Sequence, residues 1–207
     1  NKLEDWHYRV VKDISALFQL TANNKVNTQD FAASVIMAQS NSNETILRYC
    51  KMYNFDYSKH RICLSIEFDS EVPTTSTRKY ITREIFSSIT TWIMNTYGCN
   101  VFFLKTHTHY VLYLLFSDVI SQETAEYQAS EAAKKIWHIF NHNNISTYIG
   151  VSLYSSDLQQ ISKAFFQAID AMKLGRKLYP EENVFLFRTI QVYQWLSTMP
   201  QESLEEM

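Results

Sequence analysis

The order of hydrophobic periodicities after residue 60 constrains the fold of this chain more than any other feature of its sequence. The segment Arg61 to Phe68 alternates between two faces with period two, which is typical of a strand with one face buried. The segments that follow predict, in order, a helix, two strands, a helix, a strand, a helix and a strand. This is the order of a split βαβ unit with one helix and one strand added. It predicts an α+β fold with a mixed sheet and helices on one face.

The same pattern gives approximate bounds for each predicted element. They are a helix from Thr77 to Tyr97 that Gly98 ends, hairpin strands Val101 to Leu104 and Tyr110 to Phe116, a helix from Gln122 to Asn141, a strand from Tyr148 to Leu153, a helix marked by Leu158 to Met172, a strand from Val184 to Phe187, and a helix around Val192 to Leu196. Both faces of the hairpin are apolar. The second face of the sheet therefore needs a cover, either the N-terminal helices or a partner chain.

The first 55 residues predict a helical lead-in to this fold. Leu3, Val10 and Leu17 recur every seven positions, and Ile14 extends the same apolar stripe. Such a stripe must be buried, either against the chain's own sheet or against the same helix of a second chain in a short coiled coil. Leu3, Val10, Ile14 and Leu17 are therefore the candidate self-association residues.

Charge and glycine content exclude several functional classes. Nineteen Lys and Arg residues against 21 Asp and Glu residues give a net charge of -2, which lacks the positive field that captures nucleic-acid phosphates. With only three glycines, the chain contains neither a dinucleotide-binding fingerprint nor a P-loop. No run of 18 apolar residues is present, so no membrane partner is expected.

Cysteine usage indicates the redox compartment. Cys50, Cys63 and Cys99 are odd in number, widely spaced and set in apolar surroundings, which favours buried thiols over disulfides or a zinc site. A cytoplasmic location follows from that interpretation. The chain begins without Met, and we expect it to be a piece of a longer protein.

Two histidine pairs have the spacing of half a metal site: His107 with His109 on the predicted hairpin, and His138 with His142 near a helix end. Neutral imidazole suits zinc or copper, but neither pair has the further ligands that a site needs. We therefore expect solvated histidines, no bound metal and no cofactor.

A small basic stripe lies near the end of a later predicted helix and consists of Lys173, Arg176 and Lys177. Cations at a helix C-terminus compensate the helix dipole, and this interpretation is favoured over an anion or DNA-backbone contact. The 13 Tyr and 13 Phe residues fall mostly on periodic faces, which favours core packing over a ligand cavity.

Two segments carry a resemblance to a known family. The first runs from Phe31-Ala-Ala-Ser-Val-Ile through Tyr53 to Cys63, and the second runs from Ile149-Gly-Val-Ser-Leu through Ile161 to Pro180. Together with Val184 to Leu196, they resemble the GGDEF-like middle domain of bacterial transcriptional regulators of the sugar-diacid regulator (CdaR and PucR) type. The resemblance covers about residues 28 to 207. AraC-type response regulators, some of which have a related middle domain, are an alternative parent.

The resemblance implies a ferredoxin-like or nucleotide-cyclase-like arrangement, that is, a degenerate GGDEF domain. Residues 1–55 would be the lead-in, 56–190 the GGDEF-like domain, and 191–207 the start of a linker to a C-terminal helix-turn-helix domain. The implied role is a non-catalytic regulatory and dimerisation domain. It would relay an unknown effector, bound by an upstream domain, to DNA bound only by the downstream domain, within a homodimer.

Active members of the parent fold condense nucleotides with metal ions held by a carboxylate at the end of the first strand and acidic residues on the central hairpin. Asp69, or Glu67 before it, occupies the first position, but the stretch Tyr97 to Ser117 contains no Asp or Glu. Lys105 to His109 stand in place of the Gly-Gly-Asp/Glu-Glu-Phe pattern. We therefore predict no catalytic residues and no enzyme activity. The alternative is a nucleotide-binding or weakly active cyclase-like domain.

Overall fold

The structure is a computed structural model that describes residues 35–36, 42–69, 76–106, 108–117 and 119–198. Its elements are, in chain order, α1 (Asn43–Met52), β1 (His60–Phe68), α2 (Ser76–Tyr97), β2 (Asn100–Lys105), β3 (Tyr110–Phe116), α3 (Gln122–His142), β4 (Thr147–Val151), α4 (Gln160–Leu178), β5 (Val184–Leu186) and α5 (Phe187–Thr198). The predicted order is confirmed. The candidate self-association residues Leu3, Val10, Ile14 and Leu17 lie outside the described residues.

The five strands form one mixed sheet in the order β2-β3-β1-β4-β5. β1 lies at its centre and pairs antiparallel with β3 on one side and with β4 on the other. β2 pairs antiparallel with β3, and β5 pairs parallel with β4 through the crossover helix α4. The predicted α+β fold with a mixed sheet is therefore confirmed.

One face of the sheet packs against α2 and α3. β1 contributes Ile62, Leu64 and Ile66 to this core, all fully buried. α3 approaches closely because its inner face is built from small residues, namely Ala125, Ala129, Ala132 and Ala133. Ile89 and Ile93 of α2 complete this layer.

The other face of the sheet is also covered by helices, where the sequence predicted a cover by the N-terminal helices or a partner chain. Cys63 of β1 and Tyr113 of β3 point to this face, where they meet Phe165 and Ala168 of α4. α1, from the predicted lead-in, and the short described segment 35–36 add to the same core. The predicted cover of the second face by lead-in residues is thus correct in part, while α4 supplies the rest.

Local residue choices set the helix ends. Ser42 and Ser121 cap α1 and α3, each accepting a hydrogen bond at its Oγ from the backbone N–H three residues later. Gly98 ends α2 as predicted, with φ of 64°. β4 ends at Val151 rather than at Leu153, and the last helix begins at Phe187, earlier than predicted. Among the described helices, none is both long enough and apolar enough to cross a bilayer.

Candidate functional site

The C-terminal end of β1 and the turn between β2 and β3 lie beside each other, because β1 and β3 pair with Ile66 opposite Tyr110. Asp69 follows β1 directly and is exposed, as expected for a residue at a strand end. Its backbone N–H donates a 3.0 Å hydrogen bond to the carbonyl oxygen of Ser146. The strand end is thus fixed by its backbone, and the carboxylate of Asp69 faces water.

The hairpin turn is closed by Thr106 rather than by glycine. Thr106 is 3 % exposed, and its Oγ1 accepts a 2.9 Å hydrogen bond from the His109 backbone N–H. The same hydroxyl donates to the His109 carbonyl oxygen at 3.1 Å, and the Thr106 backbone N–H donates to that oxygen at 2.8 Å. One threonine therefore satisfies both backbone groups of His109.

A cluster of aromatic rings occupies the α2 and α3 side of this end of the sheet. Its members are Phe68, Phe86, Phe103, Tyr110 and Phe140, with ring centroids of contacting pairs 4.8 to 6.1 Å apart. Most of these contacts are edge-to-face or tilted, which is the favoured geometry for aromatic packing. Phe86 and Phe140 are buried, and the other three rings are half-buried. The space between the strand end and the hairpin is therefore apolar.

Comparison with known families matches residues 39–174 to the family described as GGDEF-like domain. This chain belongs to that family. No curated protein matches the chain. The matched range runs from just before α1 into α4, so the GGDEF-like domain comprises the central strand, the hairpin and the layers on both faces of the sheet.

In this GGDEF-like domain Glu67 points away from the aromatic cluster, because neighbouring residues of a strand face opposite sides of the sheet. Its Oε1 lies 3.4 Å from Nη1 of Arg176 on α4. Its Oε2 lies 3.5 Å from Nε2 of His109 in the hairpin turn. Glu67 therefore joins β1, the hairpin and α4, and its carboxylate is engaged by two side chains.

The histidines of the two predicted pairs lie in different surroundings. His138 and His142 on α3 are exposed, and the ring of His138 packs against Trp137 at 4.7 Å. His109 is buried on the α4 side of the hairpin, which differs from the solvated histidine we expected. His107 lies outside the described residues. Within the described part of the chain, no group of three or more His, Cys, Asp or Glu residues is placed to hold a metal ion.

The basic stripe on α4 is divided between two environments. The guanidinium of Arg176 lies over the ring of Tyr148 at 3.9 Å and contacts Glu67 at 3.4 Å. Lys173 and Lys177 are exposed near the end of the helix, which fits the predicted dipole compensation. Arg176 therefore connects α4 to the sheet through the carboxylate of Glu67 and the ring of Tyr148.

Sequence reasoning missed Arg61, which is fully buried at the start of β1. Its guanidinium donates hydrogen bonds of 2.8 to 3.2 Å to the carbonyl oxygens of Tyr57, Lys59, Ser156 and Asp157. Its backbone also pairs with Ser155 in both directions. Arg61 therefore ties the loop before β1 to the loop before α4. A lone Arg at the start of an apolar strand was the available signal.

The three cysteines are free and buried, so the predicted burial of the thiols is confirmed. Burial raises the pKa of Cys50 and of Cys99 to about 11 each. Burial also raises the pKa of the fully buried Cys63, although a hydrogen bond with Tyr113 opposes that rise. All three side chains are therefore neutral thiols at physiological pH.

Proposed function

We propose that this GGDEF-like domain is a non-catalytic regulatory domain of a cytoplasmic bacterial transcriptional regulator. It relays effector binding by an upstream domain to a downstream helix-turn-helix domain that binds DNA. The observation that carries the proposal is the aromatic cluster between the strand end and the acid-free hairpin. Buried, neutral thiols are in keeping with a reducing cytoplasm.

Metal-assisted nucleotide chemistry needs several hard oxygen ligands at one place. Here Glu67 is on the opposite side of the sheet from the aromatic cluster and contacts Arg176 and His109. The hairpin that would supply further carboxylates has none between residues 97 and 117. Among the described residues at this end of the sheet, Asp69 is left as a single exposed carboxylate, and one carboxylate cannot hold the pair of ions that such chemistry uses.

Incubation of the chain with GTP and Mg²⁺, followed by chromatography of the nucleotides, tests this assignment. We expect the GTP to remain intact. The matched variants are Asp69→Asn and, as a control, Glu44→Gln in the exposed first turn of α1. A product that forms with the wild type and with Glu44→Gln but is lost with Asp69→Asn would overturn the proposal. It would support the cyclase-like alternative instead.

The proposed partner for signalling is a second copy of the chain, joined through the helix that the sequence predicts around Leu3, Val10, Ile14 and Leu17. Both faces of the described sheet are already covered, by α2 and α3 on one side and by α1 and α4 on the other. This cover by described helices favours pairing of the stripe with a second chain over packing against the sheet. A coiled-coil pair could pass the signal by a change in helix register or splay, which requires no chemistry in this domain.

Sedimentation equilibrium of the wild type beside a Val10→Glu, Leu17→Glu double variant tests the pairing. We expect a dimeric wild type and a folded, monomeric variant, because charged residues in the seam oppose association. Lys12→Glu, which lies off the stripe, is the control and should remain dimeric. A wild type that is monomeric at high micromolar concentration would refute the pairing.

DNA contact is proposed only for the downstream domain. With a net charge of -2, the chain itself lacks the basic footprint of a DNA-binding domain. A mobility shift at near-physiological salt should therefore show no sequence-specific retention of promoter fragments by residues 1 to 207. Specific retention by this chain alone would contradict the proposal.

A further inference from the structure

A cavity of about 340 Å³ lies between α3 and the residues that precede and form β5. From α3 it is lined by Ser130, Lys134, Trp137 and His138, whose spacing places them on one face of the helix. The rest of the lining consists of residues 181–184 and Leu186. None of these residues belongs to the aromatic cluster, so the cavity is separate from the strand end and the hairpin.

Three apolar side chains form one part of the lining. Trp137, Val184 and Leu186 are half-buried and pack against the core between α3 and the sheet. Val184 and Leu186 face this side because Phe185, between them, points to the other face, where its ring lies against Gly175 of α4. The indole of Trp137 therefore offers the cavity a flat surface on which a second ring can stack.

Charged and polar side chains line the same cavity. α3 carries Lys134 and, one turn later, His138, and the loop before β5 carries the exposed pair Glu181 and Glu182. The ammonium group of Lys134 lies 3.0 Å from Oε1 of Glu131, but this is a surface pair, weak enough for a ligand carboxylate to replace. No described residue forms an ion pair with Glu181 or Glu182. The cavity therefore offers a cation to a carboxylate and anions to an ammonium group.

Contacts on both sides of β5 fix the shape of the cavity. The loop before β5 is held by the carbonyl oxygen of Asn183, which accepts a 2.8 Å hydrogen bond from the backbone N–H of Ile149 in β4. After β5, Arg188 forms an ion pair with Glu126 of α3, which holds the helix beside the end of the strand. The cavity is therefore formed before any ligand binds, as most small-molecule sites are.

We propose that this cavity binds a free α-amino acid with an aromatic side chain. The ligand ring stacks on Trp137, and the ligand carboxylate pairs with Lys134. The ligand ammonium group pairs with Glu181 and Glu182. An apolar cavity of about 150 Å³ holds a benzene ring, so a cavity of about 340 Å³ has room for a ring and both charged groups. Nucleotides and other polyanions fit less well, because two carboxylates of the protein would face them.

Nuclear magnetic resonance of the full chain, titrated with L-phenylalanine, tests the site. The signal to follow is the indole N–H of Trp137, which is assigned among the four tryptophans by its loss in Trp137→Phe. We expect a saturable shift with a dissociation constant of about 1 mM or lower, as for other ligands of this size. N-acetyl-L-phenylalanine lacks the ammonium group and L-phenylalaninamide lacks the carboxylate, so each should bind about fivefold more weakly.

Paired variants show which side chains meet each charged group of the ligand. Lys134→Gln should weaken binding of L-phenylalanine about fivefold and leave that of L-phenylalaninamide unchanged. The double variant Glu181→Gln, Glu182→Gln should weaken binding of L-phenylalanine to a similar extent and leave that of N-acetyl-L-phenylalanine unchanged. The controls Lys135→Gln and Glu44→Gln, at exposed positions outside the cavity, should bind as the wild type does.

The substituted side chains are exposed, so the variants should fold as the wild type does. The absence of a saturable shift of the Trp137 signal up to about 10 mM L-phenylalanine would overturn the proposal. Equal affinities for the amino acid and its two blocked forms, or charge variants that bind it as tightly as the wild type, would also overturn it. None of these results bears on the proposed regulatory function, which does not involve this cavity.

Discussion

Gly150 of β4 and Ala168 of α4 are in backbone contact across the second face of the sheet. A Cβ atom at Gly150 would lie 1.8 Å from the carbonyl oxygen of Ala168 and 3.2 Å from Cβ of Met172. No side chain fits that space. The helix therefore lies on the strand at a distance that only glycine permits, which gives a physical reason for the glycine in the Ile149-Gly-Val-Ser-Leu segment.

Substitution Gly150→Ala should lower the free energy of unfolding by about 3 kcal/mol, at the upper end of the range for overpacked sites, because backbone rather than a flexible side chain must move. Urea denaturation followed by circular dichroism measures the change. Gly98→Asn is the control, since Gly98 has open space around its Cβ position and Asn54 and Asn144 already adopt positive φ in this chain. The control should lose less than about 1 kcal/mol. Equal losses in the two variants would contradict the close contact.

Arg61→Leu should lower the free energy of unfolding by about 3 kcal/mol, because several carbonyl oxygens lose a charged donor at once. The free energy of unfolding is again obtained from the urea midpoint, with one value of the denaturant slope used for all variants. Arg48→Leu, at an exposed position of α1, should change the free energy of unfolding by less than about 0.5 kcal/mol. An Arg61→Leu variant with an unchanged free energy of unfolding would mean that the loops before β1 and before α4 do not depend on this side chain.

Thr106→Val should destabilise the hairpin turn by about 2 kcal/mol, because the two hydrogen bonds between Oγ1 and the backbone of His109 are lost at a buried position. Thr106→Ser keeps the hydroxyl and should retain most of the stability. Hydrogen exchange at the His109 amide reports the effect locally. Similar exchange rates in the Val and Ser variants would show that the hydroxyl does not close the turn.

The thiols should be unreactive in the folded protein. Ellman's reagent at pH 8 should label none of the three cysteines rapidly, because all are buried and the pKa of Cys50 and of Cys99 is about 11. Addition of guanidinium chloride should expose all three thiols of the chain. Fast labelling of one thiol under native conditions would contradict the described packing, and a serine variant of each cysteine would identify which one.

Periodicity alone predicted the helices because each has one buried face, and burial of one face produces the period. The alternation in β1 correctly predicted a strand, but the expectation of one buried face was wrong, since β1 is buried on both faces. Periodicity did not predict the side on which α4 packs. The stripe of Ile161, Phe165 and Ile169 shows that this helix has a buried face, but not which layer receives it. That choice depends on the close contact at Gly150. The contact joins β4 and α4, so the pattern of either element alone does not predict it.

The sequence predicted that the hairpin of the candidate site lacks acidic residues, but it did not predict the contacts between the side chains of the site. The acid-free stretch can be read directly from residues 97 to 117. The group formed by Glu67, His109 and Arg176 comes from three parts of the chain that are far apart in sequence, so no local spacing predicts it. The buried Arg61 was missed for the same reason, since its acceptors lie in two separate loops.

The central position of β1 has a consequence for the course of folding. The backbone N–H of Cys63 bonds to Oγ of Ser152, 89 residues further along the chain. Pairing over such separations closes large loops before any contact compensates for the lost entropy, which slows folding. During synthesis, β1 can pair with β3 early, but its other edge stays open until β4 leaves the ribosome. Truncated chains that end before β4 would therefore expose an apolar strand edge and aggregate.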